Sequence, residues 1–233
     1  MSLISNVDQI LSRKENVNDI GYLKNPMSYS DDINILEGVN LKTIIPDPPK
    51  NDSITTIKEL KVVSKATSQR TQSELMLIEA ADQEPLNLFH RFLEDKKLTF
   101  PTSKFRTYFN IVEEYLYALK YYYNRARPEQ IAPYHGIEIN VLHTNTHDTP
   151  AYPSGHQMYA ELAAHIASEE YPQYKEIFFK ISDYCGLARV LQGVHYPSDN
   201  TVGKIAISKL YPKIKEKINE YKESQVIPPN GLS

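Results

Sequence analysis

Residues 151–167, "AYPSGHQMYAELAAHIA", join a turn to an amphipathic helix. Pro153, Ser154 and Gly155 favour a turn and a helix start, and the spacing of the apolar residues after them predicts the helix. Such a start offers unpaired backbone N–H groups and the positive end of a dipole to an anion. His156, in the first turn, can give a proton to a leaving oxygen. The alternative is a capped helix with an incidental histidine.

Apolar residues recur at helical spacing through most of the chain. Stripes of this kind run through residues 105–123, 177–191 and 207–221, and each predicts a helix with one buried face. The segment "IEINVL", residues 137–142, alternates as a strand would. The pattern predicts an all-α fold, a helical bundle whose site lies in loops and at helix ends.

Composition divides the chain into three regions. Residues 1–50 are rich in Asn, Asp and Ser and run into the proline-rich "IIPDPPKNDS", so they predict an extended or irregular N-terminal arm. Residues 51–225 hold the helical stripes and predict one all-α domain, with Asp52 and Ser53 as candidate caps of its first helix. Residues 226–233 predict a flexible C-terminal tail.

The 233 residues carry a net charge of −3, and 41% of them are apolar. This composition supplies a sizeable core and lacks the basic excess that nucleic-acid binding needs. No apolar run is long enough to cross a bilayer, and no signal peptide is evident. We therefore expect a soluble protein without a transmembrane segment, cytoplasmic or otherwise intracellular. Cys185 is the single cysteine, which excludes an intramolecular disulfide.

Basic residues and a second histidine occupy two further segments. Lys120 and Arg127 are seven residues apart, so on one helix they share a face about 10 Å apart. Either an anion binds between them, or both extend from the core edge to solvent. In the other segment, Arg189 precedes His195, and Asp199 follows it by four residues. Asp199 either caps a helix or accepts the Nδ1 hydrogen of His195, which leaves Nε2 free to attack.

In chain order these residues read K-x6-R-P, P-S-G-H and R-x5-H-x3-D, within "KYYYNRARP" (120–128), "PSGH" (153–156) and "ARVLQGVHYPSD" (188–199). Together the motifs resemble those of the superfamily of type 2 phosphatidic acid phosphatases and vanadium haloperoxidases. The resemblance is to its soluble branch, and the bacterial class A non-specific acid phosphatases look most similar. The resemblance is strong over residues 120–199 and begins at about residue 44. It does not include residues 1–43.

The resemblance implies that residues 51–225 form a phosphatase-like catalytic domain, a metal-independent acid phosphatase that hydrolyses phosphate monoesters without a cofactor. His195 would attack phosphorus and form a phosphohistidine, with Asp199 orienting its ring. His156 would protonate the departing alcohol and then activate the water that releases phosphate. The phosphate oxygens would be held by Lys120, Arg127, Ser154, Gly155 and Arg189. Three cations and a helix end are enough to neutralise the roughly two negative charges of a phosphate monoester, so no metal ion is required.

Two positions depart from the family pattern: Ala188 stands where the family usually has Ser, and Glu129 where an aromatic residue is common. These departures bear on the substrate, expected to be a small phosphorylated molecule. One alternative is a vanadate-dependent haloperoxidase, in which vanadate is the cofactor instead of an inhibitor and His195 is its ligand. The second is a non-catalytic phosphate-binding or structural oligomer. A homo-oligomer is compatible with each of these hypotheses.

The segment "HTNTHD", residues 143–148, raises the question of a metal site through His143, His147 and Asp148. Spacing alone is poor evidence for a metal without a full ligand set. Because the segment lies just before P-S-G-H, we expect these side chains at the rim of the pocket and no bound metal. The tyrosine-rich end of helix 105–123 predicts helix packing or an oligomer face.

Overall fold

The computed structural model describes residues 16–24, 41–82 and 84–225. Over these ranges the regular structure is helical and no strand forms, which confirms the predicted all-α class. None of the described helices is long and apolar enough to cross a membrane. Much of the predicted arm 1–50 and all of the predicted tail 226–233 lie outside the described residues, so the three regions stay predictions.

The helices are numbered here in chain order. The α-helices are α1 Leu41–Ile44, α2 Ile54–Ser68, α3 Gln72–Asp82, α4 Asn87–Asp95, α5 Thr102–Tyr123, α6 Pro128–Ile131, α7 Gly155–Glu170, α8 Lys175–Gln192 and α9 Pro197–Gln225. Short 3-10 turns cover Val17–Asp19, Ala132–His135 and Pro172–Tyr174.

Helix α7 lies at the centre of the fold and packs against α8, α9 and α5. Small side chains let neighbouring helices approach it closely, and the alanines at positions 160, 163, 164 and 167 are fully buried. Gly186 on α8 meets α7 where a Cβ atom would stand 1.9 Å from Gln157 Oε1. The start of α7 is therefore held tightly between its neighbours.

Local signals set the helix ends that lead into the site. Ser53 caps α2 as predicted, because its Oγ accepts the Thr56 N–H at 3.1 Å. Helix α5 ends at Tyr123, since Asn124 takes the left-handed conformation with φ of 44°. Helix α8 ends where Gly193 turns left-handed with φ of 90°.

The end of α5 overturns the prediction that Lys120 and Arg127 share a helix. Arg127 instead lies in the connection between α5 and α6. The left-handed Asn124 causes the break, and an apolar stripe carries no sign of such a residue. The segment 16–24 covers this turn, where the Tyr22 N–H donates to Asn124 O at 3.0 Å.

Two other details differ from the sequence-based expectation. Ile177 and Tyr184 of the predicted stripe are exposed, because packing against α7 buries the neighbouring face through Phe178 and Cys185. Residues 137–142 are irregular, so the predicted strand is wrong. Their backbone hydrogen bonds go to helices instead, as when the Leu142 N–H donates to Gln192 O at 3.0 Å.

Candidate active site

One cavity of about 640 Å³ opens where α5, the loop 145–149 and the start of α7 meet. Its wall includes five of the sequence-predicted residues, from all three motifs: Lys120, Arg127, Gly155, His156 and His195. Asp199 and Arg189 lie behind this wall in contact with its members. The fold thus brings together side chains that lie far apart in the sequence. Lys120 and Asp199, the most distant of them, are 79 positions apart.

His195, just before α9, and Asp199, in the first turn of α9, form a buried pair. His195 Nδ1 lies 3.0 Å from Asp199 Oδ2, which also accepts the Tyr196 N–H at 2.9 Å. An ionised carboxylate only accepts hydrogen bonds, so Nδ1 carries the ring proton and Nε2 presents a lone pair. Burial, followed by the charges of Arg127 and Lys120, lowers the pKa of His195 well below its ordinary value and keeps the ring neutral.

Arg127 stands against the free nitrogen of this histidine. Its Nη1 lies 3.2 Å from His195 Nε2 and donates to Val194 O at 2.7 Å. Its Nε and Nη2 donate to Thr149 O at 3.0 and 2.8 Å. Burial, followed by the charge of Arg189, lowers the pKa of Arg127 to about 10, so it stays a cation at neutral pH. Neutral oxygens and an imidazole hold this cation, and an anion in the cavity is a stronger partner.

Lys120 and Arg189 complete a set of three buried basic side chains, and burial, followed by the charge of Arg127, lowers the pKa of Lys120 well below its ordinary value. Lys120 is 3% exposed and donates from Nζ to Pro150 O at 2.5 Å. Arg189 is fully buried and forms an ion pair with Asp82. The alternative in which Lys120 and Arg127 reach solvent from the core edge is therefore wrong. Burying several like charges together is costly unless an anion meets them, so the set favours an anionic ligand.

His156 stands in the first turn of α7 and lines the same cavity. Its Nε2 lies 3.1 Å from Asp82 O, a contact that assigns the ring proton to Nε2 and leaves Nδ1 for proton transfer. Burial, followed by the charge of Arg189, lowers the pKa of His156 to about 3. The ring is therefore neutral at physiological pH in the ligand-free protein.

Ser154 and Gly155 differ in what they offer an anion. The Ser154 N–H donates to Asp199 O at 3.1 Å, and its Oγ caps α7 by accepting the Gln157 N–H at 3.4 Å. The backbone donor predicted for Ser154 is thus already used, and the hydroxyl hydrogen is what remains. Gly155 begins α7 and lines the cavity, where the first N–H groups of a helix have no intrahelical partner.

Sequence reasoning missed three charged residues around the site. Asp82 ends α3, pairs with Arg189 and accepts from His156 through its carbonyl oxygen. Arg125 contacts Asp199, and Glu59 on α2 contacts Arg125. The one available signal was Arg125, a third basic residue inside "KYYYNRARP"; Asp82 and Glu59 belong to no recognisable motif.

The described residues that could together hold a metal ion are Glu129, His143 and His147. Each places a ligand atom within 4.8 Å of the others. The Thr144 N–H donates to His147 Nδ1 at 3.3 Å, which puts the proton of a neutral ring on Nε2. That nitrogen lies 3.8 Å from Glu129 Oε1, and the expectation that this rim binds no metal stays a prediction. Asp148, the remaining residue of the predicted rim, lines the same cavity as His156 and His195.

Comparison with known proteins identifies a family. Residues 108–209 match the PAP2 superfamily. The structure is similar to the crystal structure of the first transmembrane PAP2 type phosphatidylglycerolphosphate phosphatase from Bacillus subtilis, with a TM-score of 0.50 and 17% identity. That alignment covers 71% of this chain and 86% of the other, and it shows a shared fold. The search of curated proteins found no match. Residues 108–209, less than half of the chain, are thus similar to the PAP2 superfamily.

Proposed function

We propose that the protein is a phosphatase that hydrolyses small phosphate monoesters in the cavity, as a metal-independent acid phosphatase. The observation that carries this proposal is the arrangement of His195, with Nδ1 on the carboxylate of Asp199 and Nε2 beside the buried guanidinium of Arg127. The PAP2 match and the phosphatase named in the similar structure support the reaction class. The more specific likeness to bacterial class A enzymes rests on the sequence motifs.

On this proposal, the phosphate takes hydrogen bonds from Lys120, Arg127 and Arg189 in place of their present partners. When Arg127 turns to a phosphate oxygen, it releases the lone pair of His195 Nε2. That nitrogen attacks phosphorus in line, the P–O bond to the alcohol breaks, and a phosphohistidine forms. Positioning and charge stabilisation account for most of the acceleration in such a transfer.

His156 then acts as the general acid and the general base. A bound phosphate dianion raises the pKa of the neighbouring imidazole from its low ligand-free value, so His156 enters the reaction protonated. It protonates the departing alkoxide and next removes a proton from the water that attacks the phosphohistidine. The second step restores His195 and releases inorganic phosphate. Because His195 must be neutral and His156 charged, we expect an acidic to neutral optimum.

The test is phosphate release from a panel of aryl phosphates, nucleotides and sugar phosphates, with and without EDTA. Wild-type protein should release phosphate equally in EDTA, be inhibited by vanadate, and lose turnover on His195→Ala. The matched control is His90→Ala, since His90 packs against Phe100 outside the cavity. Undiminished release by His195→Ala, or full loss of activity in EDTA, would contradict the mechanism.

A further inference from the structure

The ionised state of the Asp199 carboxylate depends on a second buried charge, that of Arg125. Arg125 donates from Nη1 to Asp199 Oδ1 at 2.5 Å, on the side opposite to the oxygen that His195 uses. Asp199 is fully buried and Arg125 is 4% exposed. Burial raises the pKa of Asp199, and the charge of Arg125 opposes this effect. A carboxylate in such a position stays ionised only while a partner of opposite charge is present.

Arg125 is itself held on several sides. Its Nη1 also donates to Ser198 Oγ at 2.8 Å, and its Nη2 donates to Glu59 Oε2 at 3.3 Å. The guanidinium carbon lies 3.9 Å from the ring centroid of Tyr196, close enough for a cation–π contact. A planar fork fixed in this way presents one nitrogen to Asp199 in a defined direction.

Glu59 connects this arrangement to α2. Its Oε1 accepts the Ser198 N–H at 2.6 Å, and its Oε2 accepts the Ser198 hydroxyl at 2.8 Å. Ser198 is in the first turn of α9, directly before Asp199, so Glu59 anchors both the arginine and the helix start that carries the carboxylate. The result is a continuous chain of four side chains, Glu59, Arg125, Asp199 and His195.

Arg125 lies outside the cavity, unlike the basic residues that face the ligand. Arg127 and Lys120 line the cavity, and Arg125 is absent from its wall. Both terminal nitrogens of Arg125 are used by carboxylates, whereas Arg127 is held by neutral groups. The hydrogen-bonded connection from Arg125 to His195 therefore runs through Asp199.

We propose that Arg125 and Glu59 are positioning residues that keep Asp199 aligned on His195 Nδ1 and thereby keep the Nε2 lone pair directed at the substrate. The proposal rests on the proposed function of His195 as nucleophile. It assigns a role to α2, which lies outside the residues 108–209 that match the family. A positioning role predicts a loss in kcat with little change in phosphate binding.

The experiment compares Arg125→Met, Arg125→Lys and Glu59→Gln with the control Arg106→Met, which removes an exposed arginine of α5. For Arg125→Met, kcat for an aryl phosphate should fall about 10- to 100-fold, with a smaller loss for Glu59→Gln. The acid limb of kcat should move to higher pH, because Asp199 without its cation is protonated more readily. Inorganic phosphate should bind within about threefold of wild type by calorimetry, because its binding groups are untouched. Arg125→Lys keeps the charge and should recover part of kcat.

Two outcomes would overturn the proposal. One is an unchanged kcat and acid limb in Arg125→Met. The other is a loss that Arg125→Lys shares in full and that parallels a loss of phosphate affinity and melting temperature, which indicates a purely structural role. The nitrogen chemical shifts of His195 separate this test from that of the proposed function. They should report a proton on Nδ1 in wild type and a changed tautomer ratio in Arg125→Met, even if no substrate is turned over; identical shifts in both would refute the positioning role.

Discussion

Replacing Asp199 with asparagine removes a charge and changes almost no volume. Three donors converge on this carboxylate: Arg125 Nη1 at 2.5 Å, Tyr196 N at 2.9 Å and His195 Nδ1 at 3.0 Å. An amide has one acceptor oxygen and one NH2 group, so at least one donor must face NH2. If that donor is Nδ1, His195 takes the tautomer with the proton on Nε2, and the attacking lone pair is lost. If it is Arg125, a buried cation loses its counter-charge.

The two losses have different magnitudes. The same substitution in a Ser-His-Asp triad lowers kcat by about 10⁴-fold through the wrong tautomer, and we expect roughly 10³- to 10⁴-fold here. Breaking a buried charge pair costs about 3 kcal/mol or more. For a chain of this size, that corresponds to a melting temperature lower by roughly 6–12 °C.

The assay is steady-state release of phosphate from an aryl phosphate, together with thermal unfolding by circular dichroism. Asp183→Asn is the control, because this aspartate is exposed on α8 and pairs with Lys204 at the surface. Its stability should stay within about 0.5 kcal/mol of wild type. A folded Asp199→Asn protein that keeps kcat within tenfold of wild type would refute the reasoning.

Two further predictions concern a proton donor and a surface charge cluster. His156→Ala should lower kcat most for alkyl phosphates, whose leaving groups need protonation, and least for activated aryl phosphates; equal losses across a leaving-group series would count against the acid role. Burial acts to raise the pKa of Glu169, but hydrogen bonds from Lys104 and Lys215 lower it to about 2. Because the folded pKa lies below the unfolded one, this stabilisation is present above about pH 4.3 and is lost as the pH falls towards the folded value. Glu169→Gln should therefore lower the melting temperature at pH 7 and have no effect near pH 2; an equal effect at both would contradict this.

The residues that match the family model contain part of the candidate site, and the preceding helices contain the rest. The matched residues 108–209 contain all three motifs. Asp82 and Glu59 come from α3 and α2, outside that match, and each pairs with an arginine of the site. A search of the motifs alone finds neither residue, because a single carboxylate at a helix end or on a helix face has no periodic or spacing signal.

The amino-acid sequence determined the all-α class and the candidate residues that the fold brings together at the cavity. Apolar spacing indicates helices because burial of one helical face repeats every three to four residues, and "PSGH" indicates a helix start because its residues suit a cap. Only the tertiary structure decided how the charges are arranged. It placed Arg127 beyond the end of α5, engaged the Ser154 N–H with Asp199, and set Arg125 behind Asp199. The physical reason is that the strength and role of a buried charge depend on which distant groups fold against it, and contacts across dozens of residues have no periodicity that a sequence can display.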